Sequence, residues 1–119
     1  MMMMTTLLEK IETEMALAAK ARRQGREGRA RVCARRAAGW AVAVYRRGKF
    51  GLQPHNNAYH LLRWFQGIED VPIELRLAAA RLTRRVTPEH TLPHSQDPLR
   101  DAGMLIEALL REEDGVGDE

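Results

Sequence analysis

Residues 28–48 read GRARVCARRAAGWAVAVYRRG, and the fold turns on this stretch. It is long enough for roughly five to six helical turns, with a glycine at each end where a helix would stop. At about 100° per residue, Cys33, Ala37, Trp40 and Val44 share one stripe, with Ala30 and Ala41 beside them. Arg31, Arg35 and Arg46 fall on the far side. Between Ala37 and Tyr45 the arginines stop, and Ala38, Val42 and Tyr45 form a second apolar stripe. Such a helix needs cover on two faces: its own domain on one, a packed neighbour or second subunit on the other. The second stripe is therefore the expected interface of a homodimer.

The segments on either side read as partners for this helix. Thr6-Leu7-Leu8-Glu9 has the pattern of a capping box. The helix it would open carries Leu7, Leu8, Ile11, Met15, Ala18 and Ala19 on one stripe and runs to about Arg23. Gln24-Gly25-Arg26-Glu27-Gly28 breaks the pattern, which makes the first two helices an antiparallel pair. Downstream, residues 48–57 (GKFGLQPHNN) read as loop. Asn56 or Asn57 can cap a short helix, Ala58 to Gln66, burying Ala58, Leu61, Leu62 and Phe65.

Asp70-Val71-Pro72 opens a fourth helix, with Leu75, Ala78, Ala79, Leu82 and Val86 inward. Residues 87–96 (TPEHTLPHSQ) read as a loop, long enough to suggest function. Asp97-Pro98 then caps a last helix with Leu99, Ala102, Leu105, Ile106 and Leu109 on its buried stripe. The predicted fold is all-α: an up-and-down antiparallel bundle of four longer helices with one short inserted helix. Residues 1–5 are expected to be a disordered N-terminus, 6–112 the bundle, and 113–119 an acidic flexible tail.

The chain has 119 residues, enough for one domain. A 45% hydrophobic and 29% charged composition is that of a globular chain. No apolar run reaches the ~20 residues of a membrane span, and MMMMTTLLEK lacks the pattern of a signal peptide. With one cysteine, no internal disulfide forms. A cytoplasmic protein without membrane attachment is the simplest reading. The net charge of +3 conceals an asymmetry: residues 20–49 hold eleven basic side chains against one acid, Glu27. Arg22, Arg23, Arg26, Arg29, Arg31, Arg35 and Arg36 surround the turn between the first two helices. Arginine forks in that number suit phosphate, so Arg22, Arg23, Arg26, Arg29 and Arg36 are the candidate phosphate or nucleic-acid contacts.

Three stretches, ARVCARRAAGWAVAVYRR, NNAYHLLRWFQ and VPIELRLAAARLTRRVTPEHTLP, stand in an order that resembles the HEPN domain family, in its small bacterial and archaeal single-domain branch. The likeness covers roughly residues 7–111. It implies an all-α dimer serving as a binding or interaction module, often paired with a nucleotidyltransferase-type partner, with nucleotide or RNA as ligand. Nuclease members of that family carry an arginine and, a short spacer later, a histidine for metal-independent RNA cleavage of toxin type. The matching string here is Arg85-Val-Thr-Pro-Glu-His90, and Arg84 to His90 also fits. In that role His90 would be the general acid/base and Arg85 would stabilise charge on phosphorus. Val86 and Pro88 depart from the family's helical motif.

The remaining candidates read as structural. Cys33 on the core stripe acts as a small apolar side chain, and Trp40 and Tyr45 as packing residues. Trp64 points away from the Leu61/Leu62/Phe65 side and is the best candidate for an exposed aromatic, to stack on a base or cover a subunit seam; packing beneath the loop from Gly48 to Pro54 is the other reading. His60, beside Tyr59, is expected half-buried or lining a cleft. His90 and His94 flank Pro93 and share no helical face, so neither metal nor cofactor is expected.

Overall fold

Two glycines with left-handed backbone set the turn before the central helix and its end. The computed structural model describes residues 2–51, 57–84 and 96–118, with side chains described in those ranges from residue 6 to residue 111. Helix α1 (Met2–Arg23) ends where Gly25 adopts φ 77°. There the Arg26 amide donates to the Ala21 carbonyl at 2.8 Å and the Gly25 amide to Arg22 at 3.0 Å. This paired closure satisfies carbonyls the helix would otherwise leave open. It turns the chain back within three residues into α2 (Glu27–Phe50). Helix α2 stops at Gly51, with φ 67° and its amide on the Arg47 carbonyl at 2.9 Å.

Gly48, read as the stop, lies inside the last turn; a helical glycine costs only about 1 kcal/mol, whereas the left-handed cap needs one. Helix α1 likewise begins at Met2, upstream of Thr6, so Thr6 is an interior position and the helix does not start at the capping-box sequence.

Helix α3 (Ala58–Phe65) follows the expected cap: Asn57 Oδ1 accepts the His60 amide at 3.1 Å. Helix α4 (Ile73–Leu82) starts behind Pro72. Helix α5 (Pro98–Asp118) starts at Asp97, whose Oδ1 accepts the Leu99 amide at 3.1 Å. Its backbone stays helical to Asp118, past the point where a flexible tail was expected.

The described residues form an all-α bundle with no strand among them. The central helix α2 packs against α1, α5 and α3, while α4 is held by α5 and α3. Ala30, Ala34, Ala37, Ala38 and Ala41 are fully buried, so α2 offers a surface of methyl groups that lets neighbours approach closely. One close approach is at Gly39, where a Cβ would lie 2.5 Å from the Ala58 Cβ. Here only glycine lets α3 lie across α2.

Ala38 and Val42 are 0% exposed and Tyr45 6%, all within the single chain. The second apolar stripe is covered from inside, with Phe65 of α3 edge-on to Tyr45 at 5.6 Å. The packed neighbour is the chain itself, and these residues are not open to a second subunit. Leu8, assigned to the core stripe, is 36% exposed, while Leu7 and Ile11 are buried.

Candidate functional site

The arginines around the first turn look equivalent in sequence; their neighbours in space separate them. Arg22 points from the end of α1 to the start of α5. Its Nη1 and Nη2 donate to Asp97 at 2.9 and 2.8 Å, while Nε and Nη2 donate to Glu27 at 3.0 and 3.1 Å. These bonds, Asp97 first, raise the Arg22 pKa further above its ordinary value and hold the Asp97 carboxyl below its own. With two carboxylates on its fork, Arg22 is a clasp and is not available for phosphate. Arg23, Arg26 and Arg29 are exposed at the turn.

Arg35 and Arg36, further along α2, line an open cleft of about 500 Å³ with Glu14, Trp40, Asn57 and Tyr59. Helix α1 contributes Glu14, α2 the arginines and Trp40, and the start of α3 the rest. The cleft exists because Gly39, on its floor, brings the start of α3 onto α2.

Arg35 is the unusual member. It is half-buried, and no hydrogen bond or ion pair meets it among the described residues. Burial first, then the like charges of Arg31 and Arg36, push its pKa below the ordinary arginine value. It stays charged, because arginine does not deprotonate in proteins. A half-buried cation surrounded by cations is stabilised by an incoming anion. Arg36, one residue on, has Glu14 at 4.0 Å, too long for a hydrogen bond.

The first turn of α3 faces the same cleft. Asn57 caps the His60 amide, and Ala58 and Tyr59 are the first two residues of the helix. That end of the helix carries positive potential. Trp40 is half-buried with Lys10 Nζ 4.4 Å from its ring centroid, and Tyr59 is 44% exposed. Cations, amides and two aromatic faces therefore converge on one cavity.

A second groove, about 610 Å³ between α4 and α5, is lined by Arg81, Asp97 and Asp101. Three of its charges are paired: Arg81 Nε and Nη2 donate to Asp101 at 2.9 and 2.8 Å, and Asp97 is held by Arg22; Glu74 and Arg100 also line it. The Arg35 cleft differs in that the charge without a partner among the described residues is half-buried and stands beside further cations.

The other candidates fall elsewhere. Arg85 and His90 lie outside the described residues, as does Val86. Trp64, the candidate exposed aromatic, is half-buried beside Phe50 at 5.4 Å, with the Arg46 guanidinium 5.1 Å from its ring. His60 is exposed, its ring against Tyr59 at 5.8 Å, and does not line the cleft. Cys33 is buried; burial first, then the Glu14 carboxylate, pushes its thiol up and leaves it a poor nucleophile. Among the described residues no three His, Cys, Asp or Glu side chains are placed to hold a metal ion, and no helix is long and apolar enough to cross a membrane.

No known protein family, curated protein or solved structure matches this chain. The cleft therefore has to be read from its own chemistry.

Sequence reasoning named Arg36 and missed Arg35 as the central residue. Both stood in the same basic run. What distinguishes Arg35 is half-burial between like charges with no carboxylate partner among the described residues, a property of the packing alone. Gly39 was the available signal: a glycine inside an apolar helical run marks a close approach.

Proposed function

We propose that this chain is a non-catalytic binding module of HEPN type, whose cleft between α1, α2 and the start of α3 takes a phosphate-bearing ligand of nucleotide class. The observation that carries the reading is Arg35: a half-buried guanidinium without a counter-charge among the described residues, in a cavity of about 500 Å³, within the size range of small-ligand sites. Arg35, Arg36 and the first amides of α3 supply donors for phosphate oxygens. Trp40 and Tyr59 supply faces for a base to stack on. The ligand is a free nucleotide or one unit of an RNA chain; both present the same phosphate, sugar and base.

The resemblance extends the proposal to a homodimer and to a nucleotidyltransferase-type partner. For either, the α4 strip of Ile73 and Leu77, 52% and 49% exposed and one turn apart, is an apolar surface open to contact.

Titration with each of the nucleoside monophosphates, and separately with a short single-stranded RNA, tests the reading. Trp40 fluorescence in a Trp64→Phe background is the signal. Saturable quenching by monophosphates identifies a free-nucleotide site, and quenching by RNA alone a polymer site. A chain that answers to neither at low salt overturns the proposal.

A further inference from the structure

We infer that the cleft takes its nucleotide as a diphosphate, with Arg35 holding one phosphate and Arg31 the next; this rests on the nucleotide reading above. Arg31 stands four residues before Arg35, one turn of α2 away on the same side of the helix. It is half-buried, and like Arg35 it meets no hydrogen bond or ion pair among the described residues. The α2 residues that line the cavity begin at Arg35, so Arg31 lies one turn beyond them. Trp40, then Arg36 and Arg35, then Arg31 succeed one another toward the start of α2, in the order of base, first phosphate and second phosphate.

Two guanidiniums one turn apart repel each other. Burial first, then the charges of Arg31 and Arg36, lowers the Arg35 pKa, so the three cations act on one another. A single phosphate on Arg35 leaves Arg31 unmatched. A diphosphate joins its two groups through one bridging oxygen, and its outer oxygens span one helical turn, ~5.4 Å. Each guanidinium can then donate to its own phosphate.

The row is two arginines long, and this sets the length of the phosphate chain. One turn before Arg31 stands Glu27, whose carboxylate accepts from Arg22 at 3.0 and 3.1 Å and repels phosphate. One turn after Arg35 stands Gly39, covered by Ala58 of α3. A third phosphate would run toward Glu27, and so would a nucleic-acid backbone continued along α2. The geometry favours a free nucleoside diphosphate over a monophosphate, a triphosphate or a strand.

The test is the affinity of the intact chain for adenosine mono-, di- and triphosphate, measured by calorimetry with EDTA present, in wild type, Arg31→Gln, Arg31→Lys and Arg29→Ala. Wild type is expected to bind the diphosphate about tenfold tighter than the monophosphate, the effect of one further charge-assisted contact. The triphosphate is expected to bind no tighter than the diphosphate. Arg31→Gln is expected to bring the di- to monophosphate ratio near one, with monophosphate affinity close to wild type, and Arg31→Lys to retain part of the ratio. Arg29→Ala removes a charge from the other side of α2 and is expected to leave the ratio intact. Equal wild-type affinities for mono- and diphosphate overturn the inference and leave the nucleotide site standing. A ratio that survives in Arg31→Gln, or falls equally in Arg29→Ala, also overturns it. So does a further tenfold gain from the triphosphate, the mark of general charge attraction. Binding of none of the three removes the nucleotide reading itself, and this inference with it. Far-ultraviolet circular dichroism of each variant separates lost recognition from lost fold.

Discussion

Arg22 donates to both carboxylate oxygens of Asp97, at 2.9 and 2.8 Å, and so fastens the end of α1 to the first residue before α5. One aspartate thereby holds two elements, since its Oδ1 also accepts the Leu99 amide. The pair is partly exposed, 36% and 43% for the two side chains, so its ionic part contributes no more than about 1 kcal/mol. The cap contributes about the same. Asp97→Ala is expected to destabilise by about 1–2 kcal/mol and Asp97→Asn, which keeps a capping oxygen, by less than about 1. Urea denaturation at neutral pH measures both.

The same pair sets a pH dependence. Arg22 holds the folded carboxyl of Asp97 below its ordinary value, so the folded chain favours the ionised form. The contribution is complete above the unfolded aspartate value, about 3.9, and is lost as pH falls through the lower folded value. The stability gap between wild type and Asp97→Asn is therefore expected to close as pH falls below the unfolded aspartate value and through the lower folded one. A gap that persists there shows that the charge is not its source.

Arg81 and Asp101 form the corresponding clasp between α4 and α5, but deeper, with Asp101 3% exposed. Removing one partner strands a buried charge, so Arg81→Met is expected to cost about 3 kcal/mol or more. Arg81→Met with Asp101→Leu leaves no stranded charge and is expected to recover to within about 1 kcal/mol of wild type. A double variant as unstable as the sum of the singles contradicts this reading of the pair.

Gly39→Ala tests the contact that shapes the cleft. Its Cβ would meet the Ala58 Cβ at 2.5 Å and the Ala58 Cα at 2.7 Å, and backbone must move to admit it. Alanine is the better helix former by about 1 kcal/mol, and overpacking costs about 1–3. A net loss of about 1 kcal/mol is expected, together with weaker nucleotide binding as α3 is displaced. Thermal denaturation and the titration measure the two effects. A more stable variant would mean that α3 is free to shift.

Much of this architecture was legible in the sequence. Helical periodicity found all five helices, and the Asn57 and Asp97 caps were found because asparagine and aspartate at those positions have a local mechanism. Gly48 failed as a stop because any glycine is permitted in a helix, while only a left-handed one must be there. The Ala38/Val42/Tyr45 stripe was seen correctly as a surface needing cover. What covers it depends on where α3 crosses, a tertiary fact encoded only in the Gly39/Ala58 contact. The site was less legible still. Arg22 and Arg35 have the same side chain in the same basic run, and they differ only in whether a carboxylate distant in sequence reaches them.

The most direct test of the cleft is nucleotide affinity measured side by side in Arg35→Ala, Arg23→Ala and Arg26→Ala. Loss of one charge-assisted contact lowers affinity by about tenfold or more. That loss is expected for Arg35→Ala alone, with Arg23→Ala and Arg26→Ala close to wild type. An equal, salt-sensitive weakening in all three would contradict the cleft and return the binding to the basic surface of the first turn.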